Sequence, residues 1–445
     1  MGARGGGLVR GKPVVYRLRS SWAAWAVLAW LAAVPFAHAA SGEESILPVI
    51  FTGSEAAALQ GVKAAELSLF SCSDGRIRSI VFQVDEYTAD GRIVSNLPLT
   101  GPSKDDTPGV IDANDEIVFM ERDLGGACLE EQLARAQGKI IELRFSRPDG
   151  GPDRLYALVG PFSAVPGTTN LRYERAGDAV HAPGYSWGYS LKKPHIFDRL
   201  QFRDYRGGKE DFFDRLKVRM KARSLGDLIT IRVNEDDIRG TLEGVRTGPV
   251  RIIRHVSISV TPLPGFTISA FVDFIHYERI WDARVRFRLP GHAALFTSSM
   301  DVQFVMDFNG LTGVRFVTKT EPQGLPVEGN SAKEPVLVSM GNEPWFLVTG
   351  RGLNEMVFVY YDKALSLNPS AYYIDNSELD DAPERVRGCS PCSGFELNRW
   401  ENLKAQWYSF GAQVLLPPRF PDGGGSGFYQ RYQNRPRLRT AVPAN

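Results

Sequence analysis

The chain has 445 residues, 43% hydrophobic and 23% charged, the balance of a folded globular protein rather than a disordered or fibrous one. Its 52 basic and 51 acidic residues leave a net charge of +1, so no electrostatic argument favours a nucleic-acid partner. This length exceeds one ordinary hydrophobic core, and two domains are expected.

Residues 1–40 read as a secretory signal peptide. Arg4, Arg10, Lys12, Arg17 and Arg19 form a basic leader, and WAAWAVLAWLAAVPF at 22–36 is an apolar run too short to span a bilayer comfortably. Ala37-His38-Ala39 then places small residues around a bulkier one, as signal peptidase requires, with cleavage expected near Ala39 or Ala40. The expectation is an exported protein, periplasmic or extracellular, with no membrane span after cleavage. Cys72, Cys128, Cys389 and Cys392 would then lie in an oxidising compartment, and the simplest pairing is within each group. A Cys72–Cys128 bond closes a long loop and constrains the unfolded chain by about 3–4 kcal/mol on the entropic account.

From residue 43 to 165 the runs ILPVIF, AELSLF, SIVFQVDEY, EIVFM, KIIELRF and RLYALVG are short and β-rich, with turns such as Ser73-Asp74-Gly75 between them. They predict a small immunoglobulin-like β-sandwich. GACLEEQLARAQGK, at 126–139, is the exception and predicts a short helix with Leu129, Leu133 and Ala136 on one face.

DANDEIVFM, at 112–120, raises a choice between a calcium site and a polar turn feeding a strand. A calcium loop starting at Asp112 puts Ile117 where the sharp turn needs glycine; one starting at Lys104 places Gly109 correctly but gives the lead ligand position to a cation. Neither register is intact, and a turn in which Asp112 or Asn114 bonds nearby backbone N–H groups is the simpler reading. If a metal binds, Asp106, Asp112, Asn114 and Asp115 are the candidate ligands and calcium the candidate cofactor.

SIVFQVDEYTADGR followed by GVIDANDEIVFMERDLGG resembles a signature of exported bacterial β-sandwich proteins, over residues 47–126. The resemblance implies export and a β-sandwich. It brings no activity and no catalytic residues.

Residues 161–190 are rich in glycine, proline and aromatics without a period, and predict an ordered linker wrapping onto a second domain at 166–420. There DRLKVRMKARS alternates Leu216, Val218 and Met220 against Lys217, Arg219 and Lys221, and six similar runs follow to residue 320. Charges along the wet face exclude a lipid-facing barrel. Further strands are expected at EPVLVSM, EPWFLVTG, EMVFVYY and AQVLLPPR, a short helix at 395–410, and a mobile Gly/Arg/Pro-rich tail at 421–445. The fold class is all-β and mainly antiparallel, a small sandwich followed by a larger one with few short helices.

Three stretches carry chemistry. CSPC, at 389–392, lacks a βαβ setting, a following histidine and a second ligand pair, so a local disulfide is favoured over a redox or zinc site. FVDFIHYERIWDAR offers His276, Tyr277 and Arg279, a set that could neutralise a uronate and move its proton in a carbohydrate lyase or hydrolase; ordinary cross-strand pairing is the alternative. Strand parity puts Asp273 opposite His276, and His276 with Glu278 and Asp282. GYSWGYSLKKPHIF offers Tyr185, Trp187, Tyr189 and His195, to stack on sugar rings or to plug an interface between domains. No nucleotide loop or serine-hydrolase motif occurs. The reading is an exported envelope protein that binds extracellular carbohydrate without catalysis. The alternatives are the His276 enzyme and a structural partner of another envelope protein.

Overall fold

Period-2 alternation takes most of the predicted strands into antiparallel ladders. The structure, a computed structural model, describes residues 45–100, 104–134, 137–160, 170–224, 228–263, 266–288, 297–400, 403–420 and 424–444. The signal-peptide stretch lies outside these residues. Among them, no helix is long and apolar enough to cross a membrane.

The N-terminal strands make a small sandwich. One sheet orders Pro48–Thr52, Glu116–Met120 and Phe82–Asp85; the other orders Arg437–Pro443, Lys139–Ser146, Arg154–Val159, Leu67–Ser73 and Arg76–Ser79. Between them Phe51, Phe119 and Phe145 meet edge to face, with Ile117, Leu143 and Leu155 around them. Glu116–Met120 is apolar on both faces because both are covered: Ile117 and Phe119 enter this core, while Val118 and Met120 pack with Ile253, Ile275 and Trp345. Cys72 bonds Cys128, and Cys389 bonds Cys392. The helix expected at 126–139 is one turn, Glu130–Leu133.

The larger sandwich sets a ten-stranded sheet against a six-stranded one. The ten-stranded sheet runs from Leu97–Pro98 through Arg239–Thr247, Ile252–Leu263, Phe266–His276, Ile280–Arg288, Trp407–Leu415, Leu353–Tyr361, Trp345–Gly350 and Arg315–Thr318 to Leu325–Pro326. The six-stranded sheet orders Ile229–Val233, Phe213–Ser224, Thr297–Phe308, Cys389–Asn398, Asn368–Asn376 and Ala332–Ser339. The main core fills the space between them, with an apolar cavity of about 230 Å³ lined by side chains such as Met220, Val285, Met300 and Phe304.

Three local expectations are corrected. The aperiodic linker is a small sheet, in which Tyr185–Tyr189 pairs with Ala179–His181 and with Phe197–Phe202. The helix at 395–410 is replaced by strands Cys389–Asn398 and Trp407–Leu415, because Phe395, Leu397, Tyr408 and Phe410 enter the core at alternate positions. The tail expected to be mobile forms helix Gly424–Gln433 and strand Arg437–Pro443. Its glycines reflect close approach as well as turns: a Cβ on Gly425 would lie 2.6 Å from the Trp345 ring. Phe428, Tyr429 and Tyr432 are buried, the two tyrosines against Phe358.

Candidate functional site

The outer face of the six-stranded sheet carries a polar cleft of about 740 Å³. Register builds it in rows. Arg219 lies opposite Gln303, which lies opposite Glu396 on the next strand. One row away, Lys217, Val305, Gly394 and Tyr372 align across four strands. Lys221, Asp301 and Asp381 also line it. Gln303 donates to Glu396 at 2.8 Å. Gly394 is required by packing, since a Cβ there would lie 2.0 Å from the Phe304 carbonyl oxygen.

Charges of both signs are paired beneath this face. Lys217, 2% exposed, reaches Asp307 and Asp381 at 3.0 Å and Glu384 at 3.5 Å. Burial pushes the Asp307 carboxyl up to about 7 although Lys217 pulls it down. Cys392 Sγ lies 3.2 Å from Asp307 Oδ1, and the sulfurs of Cys389 and Cys392 are committed to their disulfide, which removes them as thiolate ligands. Arg219 pairs with the buried Glu235 and with Asp381.

The structure brings His276, Tyr185, Trp187 and Tyr189 together, in the interior. His276 is fully buried; its Nδ1 lies 3.3 Å from the Tyr185 hydroxyl and its Nε2 2.8 Å from that of Tyr189. Burial, then the Arg254 charge, lowers its pKa well below the usual histidine value. Trp187 stacks on Trp281 at 4.6 Å, and Tyr185, Trp187 and Tyr189 are each 0% exposed, so none offers a face to a sugar in this conformation. Tyr277 is buried with its hydroxyl 3.2 Å from Arg251 Nη1, while Arg279 pairs with Asp204 at 2.7 Å. His195 is buried apart from them beside Gly240, its pKa pushed down to about 4 by burial. The expected parity fails beyond His276: the chain turns at 277–279, so Trp281 pairs with His276 and Asp282 falls opposite Ile275 on the other face. His276 is thus enclosed by the Tyr185, Trp187 and Tyr189 side chains, while Tyr277 and Arg279 engage Arg251 and Asp204, so the three expected residues point to different partners.

At the acidic turn, Asp112 Oδ1 accepts from Asn114 N–H at 3.0 Å, and Asp115 accepts from the N–H groups of Asp112 and Tyr87. The turn therefore forms as expected. Carboxylate oxygens of Asp105, Asp112 and Asp115 also converge within 4.8 Å of one another, a group that could hold a cation. Of the four expected ligands, Asp112 and Asp115 belong to this group and Asp106 is exposed and outside it; Asp105 is the third carboxylate. Burial, with Asp112 and Asp105 nearby, raises Asp115 to about 6.

Two buried features escaped sequence reasoning. Gln83, Asp85 and Glu116, from the FQVDE and NDE phrases, hold Arg251. Gln83 Oε1 accepts from the N–H groups of Val250 and Arg251, Asp85 accepts Arg251 Nε at 2.8 Å, and Arg251 Nη2 reaches Glu116. Arg246 and Arg284 add second cations to Asp85 and Glu116. Burial opposes ionisation of Glu116, yet Arg251 and Arg284 hold it at about 2. The second feature is Glu355, 0% exposed, with both carboxyl oxygens lacking a partner among the described residues and its pKa pushed up to about 8 by burial. Its signal was present: Glu355 shares parity with Leu353, Val357 and Val359, all core residues.

No protein-family model matches the chain, and no curated protein matches it. Solved structures give partial likenesses. An alpha-mannosidase from Enterococcus faecalis is 9% identical with a TM-score of 0.41, covering 91% of this chain and 47% of that one. A protein in glycosyl hydrolase family 38 from the same organism is 9% identical at 0.39, covering 87% and 49%. The Slr1438 protein from Synechocystis is 9% identical at 0.35, covering 58% and 99%. The chain spans about half the length of the first of these.

Proposed function

We propose that the protein is an exported carbohydrate-binding protein of the cell envelope, which holds a glycan in the polar cleft over the six-stranded sheet. The observation that carries this reading is the row Arg219, Gln303 and Glu396 beside Tyr372. Guanidinium, amide and carboxylate groups form paired hydrogen bonds to neighbouring hydroxyls, and a tyrosine ring meets the apolar face of a pyranose. Both signs of charge line the cleft, which suits a neutral or mixed glycan better than a polyanion. Export rests on the basic leader, its apolar run and the two disulfides.

The test is calorimetric titration of the mature chain with a panel of neutral and acidic polysaccharides. Tyr372→Ala and Gln303→Ala are each expected to weaken the best ligand by roughly tenfold, or about 1.4 kcal/mol. Binding that survives both substitutions would place the glycan elsewhere. A panel without a single binder would favour an envelope-protein partner instead.

A further inference from the structure

We propose that the acidic turn is a calcium site whose carboxylate ligands are Asp105, Asp112 and Asp115. Their oxygens lie within 4.8 Å of one another. Two oxygens on opposite sides of a calcium ion, each about 2.4 Å from it, are about 4.8 Å apart, so one ion bridges the set. Asp115 is 0% and Asp105 5% exposed, and Asp105 Oδ2 is buried without a hydrogen-bond donor. Asn114 Oδ1, in the same turn, is likewise buried and without a donor.

Among the described residues, no lysine or arginine forms an ion pair with any of the three. Arg92 pairs instead with Asp90 and Arg251 with Asp85 and Glu116, and Lys104, next to Asp105 in the chain, is exposed. Buried carboxylates without counter-charge are costly, and a divalent cation removes that cost. An all-oxygen donor set selects a hard ion over zinc or copper. Short aspartate side chains in an irregular turn suit the tolerant geometry of calcium better than the strict octahedron of magnesium. The set does not follow a twelve-residue loop: counted from Lys104, Asp112 falls ninth and Asp115 twelfth, but Asp105 falls second, a position that supplies no ligand. This inference stands apart from the glycan reading and uses none of its residues.

The experiment follows melting of the mature chain in EDTA, in calcium and in magnesium, with calorimetric calcium titration. Millimolar calcium is expected to raise the melting temperature by about 2–4 °C and EDTA to reverse it. Asp105→Asn keeps the shape of the side chain and is expected to abolish both the shift and the binding heat. In EDTA that variant is expected to melt no lower than the parent, since it relieves repulsion. Asp106→Asn, at the exposed neighbour, is expected to keep the full shift. The proposal is overturned by no shift at about 10 mM calcium, by a shift that survives Asp105→Asn, by its loss in Asp106→Asn, or by an equal shift with magnesium.

Discussion

Replacing Glu355 by glutamine is expected to stabilise the protein at neutral and alkaline pH and to leave it unchanged near pH 4. The folded-state pKa of Glu355, about 8, lies above the ordinary value of 4.5, because burial disfavours the charged form. Below 4.5 both folded and unfolded chains carry the proton. As pH rises the unfolded chain releases it first, so stability contributed by this group is lost between 4.5 and 8. The loss amounts to about 3–4 kcal/mol by pH 7–8. Glutamine presents a neutral group of the same shape and does not titrate. Urea denaturation of parent and variant at several pH values measures the difference directly. A gap that does not widen between acid and alkaline pH would show that Glu355 finds a partner or water.

Arg251→Met is expected to destabilise the protein by about 3 kcal/mol. The side chain is fully buried and neutralises Asp85 and Glu116 together. Removing one partner of a buried ion pair costs about 3–5 kcal/mol, because the other charge stays behind. Arg246 and Arg284 remain beside those carboxylates and place the effect at the lower end. Combining Arg251→Met with Glu116→Gln is expected to cost less than the sum of the two single changes, the mark of a shared network. Shifts in the urea midpoint check both statements, and a loss below about 1 kcal/mol for Arg251→Met would refute the first.

Much of the β architecture is legible because alternation survives wherever one face is wet. DRLKVRM announces a strand with Lys217, Arg219 and Lys221 on its outer face, and the structure pairs it with Thr297–Phe308, although Lys217 is covered there by the acidic groups it binds. The cleft is only half legible. Which residues join Arg219 depends on register across three strands, a tertiary property with no local signal. The sequence left Tyr185, Trp187 and Tyr189 between a sugar platform and an interface plug because the partners that bury them, Trp281, Phe274 and His276, arrive about ninety residues later. The turn at DANDE was readable from Asp112 and Asn114, whereas the contribution of Asp105 was not, since spacing along the chain does not report convergence in space. The FQVDE phrase was visible as a phrase; its role needed Arg251, more than 160 residues away.

Strand Arg437–Pro443 covers Lys139–Ser146, at the edge of the first sandwich. Synthesis from the N-terminus therefore leaves the first sandwich unfinished until residues 437–443 have emerged. Until they emerge, Lys139–Ser146 is an open template of unpaired N–H and C=O groups, and the first sandwich waits for the second. Assembly is thus tied to arrival of residues 437–443: a chain cut short before residue 437 carries an adhesive edge, and keeping that edge from pairing wrongly becomes a task for whatever accompanies the nascent chain.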